Sequence, residues 1–182
     1  MPPPYCIFSV ILLDNPKAQG MVKEKPVKNN LISPSGYDRM YSELRHLADD
    51  ERPRILEEIA AAAAQGDRSE NAEYIYGRKR LREIDKRINF LKGRLEKAKI
   101  IDPKSQSGDK VVFGATVTIA DEDGLKKTWA IVGEDEADPS SGKISWLSPL
   151  GRALLNKHVG DFAEANTPRG LLEYTICDIK FI

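Results

Sequence analysis

Cysteine and histidine are scarce. The 182 residues hold two cysteines, Cys6 and Cys177, and two histidines, His46 and His158, with no CxxC pair. Too few ligands remain for a zinc site of Cys and His, and there is no disulfide framework; a reducing, cytoplasmic setting is the expectation. Long apolar runs are missing too. The longest near the start, Tyr5 to Leu13, is about nine residues against the roughly 20 that span a bilayer, and no basic residue precedes it, which argues against a secretory signal and a membrane partner. Net charge is also absent, since 28 Lys and Arg balance 28 Asp and Glu. Whole-chain electrostatics therefore name no partner. The C-terminal half offers neither a nucleophile–base pair nor a glycine-rich phosphate loop, and its His158 and Cys177 read as surface and core groups.

Locally the charge is uneven. Residues 31–70 carry nine acids and five bases, residues 78–99 ten bases and three acids, and residues 101–182 thirteen acids and nine bases. A basic segment between acidic neighbours is a hint of contact with nucleic acid or another polyanion. A solvated helix face paired with an acidic partner helix accounts for it as well.

Residues 1–30 differ from the rest and are expected to form a poorly structured extension, with Met1 to Gly20 dispensable and Met21 the working start. From Ser33-Pro34, a favourable helix entry, apolar residues recur at Tyr37, Met40, Tyr41, Leu44, Leu47 and Ala48 on one helical face. Pro53 should kink that helix or open a new turn near Asp50 to Arg52. The pattern resumes at Ile55, Ile59 and the alanines 60–64, and Gly66 offers a stop. A second helix shows a heptad seam of Tyr74, Gly77, Leu81, Ile84, Ile88, Leu91, Leu95 and Ala98. With so short a turn between them, the two helices are expected to pack antiparallel as a coiled-coil hairpin of residues 31–102, about 45 Å long at 1.5 Å per residue. An intermolecular coiled coil is the competing arrangement. Beyond Asp102-Pro103, short runs rich in Val, Ile, Thr and Trp alternate with turn material. They predict an antiparallel sheet with a short helix opened by Ser148-Pro149, spanning residues 103–182. The fold class is α+β.

Between the helices lies GDRSENAEYIY, Gly66 to Tyr76. Asp67 and Glu70 have the spacing of a capping box, in which each end satisfies the other's orphan donors. The same two carboxylates, at the tip of a rod, could share a divalent cation. Mg²⁺ wants six oxygens, so a metal held there would have to be completed by another molecule.

The stretch GDRSENAEYIYGRKRLREIDKRINFL resembles the tip and second helix of the bacterial Gre transcript-cleavage factors, and Arg68 with RKRLREIDKR resembles the GreB branch more than the GreA branch. SPLGRALLNKHVGDFAEANTPRG fits the same family, so the likeness runs from about Leu31 to Ile182. It implies an FKBP-like C-terminal domain, without isomerase activity, that docks on RNA polymerase. It also implies a hairpin that enters the polymerase secondary channel, and a monomer that stimulates cleavage of the extruded nascent RNA 3' end in backtracked complexes without being an enzyme itself. By position in the motif, Asp67 and Glu70 would hold Mg²⁺ shared with the polymerase, and Arg68 and Ser69 would support them. Arg78, Lys79, Arg80 and Arg82 would attract the RNA, and Ser148 and Pro149 would contact the polymerase. Two rivals stay open: a channel-binding regulator without cleavage stimulation, and a structural coiled-coil adaptor in which the acidic tip is only a helix cap.

Overall fold

The first helix begins where the sequence places it. In the computed structural model, which describes residues 30–64, 71–167 and 170–182, Ser33 is extended and its Oγ accepts from the Gly36 N–H at 3.0 Å, with Pro34 opening α1 (Pro34–Arg45). Ser therefore satisfies an orphan donor and Pro forfeits none. The chain then widens into a π-helical turn (His46–Glu51) before α2 (Arg52–Ala64). Pro53 is the physical cause: it has no N–H and its ring crowds the carbonyl four residues back. The Arg52 N–H reaches Leu47 O, five residues back, so the disruption near Asp50 to Arg52 takes the form of a bulge within one continuous helical path.

α3 (Ala72–Glu96) has 25 residues, about 38 Å at 1.5 Å per residue. Its seam buries Gly77, Ile84, Ile88 and Leu91, against Met40, Leu47 and Ile55, with Tyr37, Leu44, Ile59, Leu81 and Leu95 closing the edges. Contacts run in opposite order along the two arms: Asn71 meets Ala62, Gly77 meets Ile59, Arg80 meets Glu51 and Arg87 meets Glu43. The pair is thus an antiparallel intrachain hairpin. Gly77 is a packing choice, since a Cβ there would lie 2.7 Å from Ile59 Cγ1. Ala98, assigned to the seam by its spacing, has already left the helix. It starts β2 (Ala98–Ile100), which pairs in parallel with β1 (Asn30–Ile32). Asn30, counted with the extension on composition, is 8% exposed and belongs to the folded base of the hairpin.

The C-terminal sheet comprises β3 (Ala115–Ala120), β4 (Lys126–Val132), β5 (Lys143–Ser145), β6 (Phe162–Thr167) and β7 (Gly170–Phe181), in the order β5-β4-β3-β7-β6, with α4 (Pro149–Leu154) between β5 and β6. Period-two alternation buries Ala115, Val117 and Ile119 of β3, and Val111, Ile131, Ile144, Leu154, Ala163 and Ile176 complete that core. One pairing departs from the expected antiparallel pattern. β5 lies parallel to the last three residues of β4, with Lys143 opposite Ala130 and Ser145 opposite Val132, because two 3₁₀ turns, Glu134–Glu136 and Pro139–Ser141, carry the chain back alongside Ala130 before it runs forward again. In β7 the register against β3 slips between Thr118 and Ile119, leaving Cys177 as the extra residue of a bulge.

Candidate functional site

The hairpin's tip is approached from both arms. α2 is described to Ala64 and α3 begins at Ala72, so Asp67, Arg68, Ser69 and Glu70 lie outside the described residues. What the structure does give is the two helix ends that flank them. Asn71 caps α3: its Oδ1 accepts from the Tyr74 N–H at 3.1 Å, while its Nδ2 donates to Ala62 O at 2.9 Å. A single amide therefore starts one helix and ties it to the last turn of the other. The cap expected at Asp67 is four positions too early for this helix. Asn directly before an amphipathic run is itself a cap signal, so Asn71 was findable.

Just past the start of α3, Ile75 and Tyr76 remain 53% and 69% exposed. The basic residues divide into two groups. Arg78 and Lys79 are exposed, as is Arg82. The Arg78 guanidinium donates to the Tyr74 hydroxyl at 3.1 Å and lies over its ring, and Arg82 Nε donates to Arg78 O at 3.2 Å. Neither contact neutralises a charge. Arg80 is committed elsewhere, to Glu51 at 3.1 Å across the hairpin and to Glu83 at 3.6 Å. Lys79, Arg82 and Lys86, at spacings of three and four, line one face.

Farther down, Arg52 bridges to Asp85 at 2.8 Å, and Arg87 grips Glu43 through two bonds of 2.6 and 2.8 Å. That grip holds the Glu43 carboxyl below its ordinary range, against a smaller opposing effect of burial. Ser148 and Pro149 stand at the entry to α4, where Ser148 Oγ accepts from the Gly151 N–H at 3.0 Å and Pro149 is exposed. The serine thus has a capping duty, and the proline presents surface. Among the described residues no three His, Cys, Asp or Glu side chains gather to hold a metal ion, and no helix is long and apolar enough to cross a membrane.

Two family models divide the chain as the fold does. The model described as transcription elongation factor, N-terminal, matches residues 30–100, and that described as transcription elongation factor, GreA/GreB, C-term, matches residues 105–181. The chain belongs to the GreA/GreB family of transcription elongation factors. A curated transcription elongation factor GreB of Neisseria meningitidis serogroup B is 46% identical over 84% of this chain and 94% of its own length. A curated transcription elongation factor GreA of Brucella anthropi is 45% identical over 83% of this chain and 97% of its own. Among solved structures, GreA factor homolog 1 of Thermus thermophilus aligns at 26% identity over 84% of this chain and 99% of that one, with a TM-score of 0.37. The Gre likeness read from the tip and the SPLGRALL segment is therefore correct, and the adaptor reading falls away.

Proposed function

We propose that this Gre-family factor docks on RNA polymerase through its C-terminal domain and delivers the hairpin tip through the secondary channel, where it stimulates cleavage of the extruded nascent RNA 3' end in backtracked complexes. The observation that carries this is the pairing of family membership over residues 30–100 and 105–181 with the Asp-Arg-Ser-Glu motif at residues 67–70. The factor supplies side chains to the polymerase's own reaction. Asp67 and Glu70 would hold Mg²⁺ jointly with the polymerase: their carboxylates are hard oxygen donors suited to that ion, and two of them leave most of its coordination to the partner. Such an ion, when bound, lowers the pKa of water and stabilises charge on the phosphoryl oxygens. Arg68 and Ser69 would orient the RNA or the attacking water by hydrogen bonds.

Arg78, Lys79 and Arg82, exposed and without acidic partners among the described residues, suit attraction of the RNA backbone, a contact that weakens with salt. Arg80 suits that task less, being spent on Glu51 and Glu83. Tyr76 offers a face on which an extruded base can stack. Pro149 and Ser148 form part of the docking surface, with Ser148 also capping α4. The factor works as a cytoplasmic monomer, away from membranes.

Backtracked elongation complexes incubated with the factor should release shortened RNA. Asp67→Asn and Glu70→Gln should each lower that rate on the order of 100-fold, the scale of losing a preorganised charge at a transition state, with unfolding temperature and polymerase binding unchanged. Undiminished cleavage in both variants would sink the carboxylate role. Binding without cleavage by the wild type would favour a channel-occupying regulator.

A further inference from the structure

Helix α1 lacks a residue that its cap invites. A Ser N-cap is completed when the third helical residue is Glu or Gln, whose side chain accepts from the cap's own N–H. Here the third residue is Gly36. The missing carboxylate comes from the other domain: Glu136, 103 positions beyond Ser33, sits in the turn that joins β4 to β5. Its Oε2 accepts from the Ser33 N–H at 2.9 Å and the Gly133 N–H at 3.3 Å. The Ser33 hydroxyl donates to Oε1 while its oxygen accepts from the Gly36 N–H. A Cβ at position 36 would overlap the Glu136 carboxylate, so the glycine makes room for the substitute. The result is a capping box split between domains.

Burial makes this contact consequential. Glu136 is 9% exposed and Ser33 8%, and a carboxylate so placed would be costly to leave without donors. The positive end of α1 favours the charge further. A second tie lies beside it. Arg94 of α3 donates to Asp135 at 2.7 Å and Glu134 at 2.8 Å, and Asn30 of β1 donates to Asp135 at 3.1 Å. Arg39 of α1 adds a bond to Asp135 O at 3.1 Å. One turn, Glu134–Glu136, thereby holds both arms of the hairpin at their base.

We propose that Glu136 is a positioning residue: by completing the cap of α1 from the C-terminal domain, it fixes the direction in which the hairpin projects, and so aims the acidic tip once that domain has docked. The consequence for cleavage rests on the function proposed above; the geometry of the joint does not. The joint is broken in Glu136→Ala, which removes the acceptor, and in Gly36→Ala, which leaves the glutamate intact and takes its space. A double variant, Gly36→Glu with Glu136→Ala, moves the carboxylate into α1 itself, restoring the cap while cutting the tie.

The test is carried out on the full chain with spin labels at Lys86→Cys and Lys127→Cys in a Cys6→Ser, Cys177→Ser background, together with cleavage at saturating factor and polymerase binding. The wild type should give one narrow interlabel distance. Glu136→Ala and Gly36→Ala should broaden it and lower saturated cleavage by 10- to 100-fold, the scale of a small misplacement of reacting groups, while leaving polymerase affinity in place. The double variant should recover the unfolding temperature lost in Glu136→Ala but neither the narrow distance nor the cleavage. A distance that stays narrow in folded Glu136→Ala overturns the proposal, and so does full recovery of cleavage in the double variant, which would reduce Glu136 to a helix cap. If the wild type stimulates no cleavage, the functional reading fails and the distances still decide the joint.

Discussion

The two ends of the hairpin are held in opposite ways. At the base, β1, β2 and the Glu134–Glu136 turn converge, with Arg94 bonded to two carboxylates, Asn30 and Ser33 buried, and Leu91 fully enclosed. At the helix ends that flank the tip the described side-chain link between the arms is one amide, Asn71 to Ala62 O, and large apolar groups such as Tyr76 face solvent. The difference suits the delivery role proposed for the hairpin. Rigidity concentrated at the base carries a direction along roughly 38 Å of helix, whereas a tip whose acids were spent on internal bonds would have fewer oxygens to offer a metal. α3 is capped by Asn71, so that duty does not fall to Asp67.

The base should break most expensively. Leu91 is 0% exposed within the cluster of Ile32, Met40, Ile84 and Ile88, so Leu91→Ala should cost about 2–5 kcal/mol through lost transfer energy and a residual cavity, read as a shifted denaturation midpoint at unchanged slope. Loss below about 1 kcal/mol would mean that the base repacks and is less rigid than its burial implies.

Asn71→Ala sharpens the contrast from the other end. Removing a cap side chain costs about 1 kcal/mol, a small change in global stability. Cleavage should fall by more than that stability loss explains, because the same amide sets the spacing of the loop's two ends. Asn71→Asp should keep the cap to Tyr74 N while losing the donor to Ala62 O. Cleavage equal to wild type in Asn71→Asp would show that the cross-arm bond is dispensable and that the cap alone matters.

Much of this was legible in advance, for definable reasons. Period-3.6 and heptad spacing gave the hairpin because its arms bury one face each, and Ser33-Pro34 and Ser148-Pro149 gave helix starts because caps are local. Residues 30–100 misled in two places. Three-residue strands such as β1 and β2 carry no period, and Ala98 continued a spacing that the helix itself did not. The parallel β4–β5 pairing depended on two 3₁₀ turns whose path no local propensity states. Glu136 was least visible of all. Its partner lies 103 positions away, and a Gly at the third position of α1 reads as a weak helix residue until the carboxylate that occupies its space is seen. The acidic pair, Asp67 and Glu70, was singled out by motif and by resemblance, and it lies beyond the residues the structure describes, so its role stays a proposal.

The smallest effect lies midway along the rod, where the arms are joined by exposed ion pairs. Glu43 is held below its ordinary pKa chiefly by the paired hydrogen bonds from Arg87. A carboxyl depressed in the folded state contributes stability that is present above its unfolded pKa, about 4.3, and is lost as pH falls through the folded value. Glu43→Gln should therefore destabilise at neutral pH and converge on the wild type in acid. The side chains are 37% and 49% exposed, so screening limits the difference to a few tenths, about 0.3–0.5 kcal/mol, and added salt should shrink it. Thermal unfolding of both proteins between pH 7 and pH 3 reads this directly. A difference that persists unchanged into acid would assign the contribution of Arg87 to its stacking on Phe90, at 5.2 Å, and would make the middle of the rod a packing contact like the base, in place of the charge contact its geometry implies.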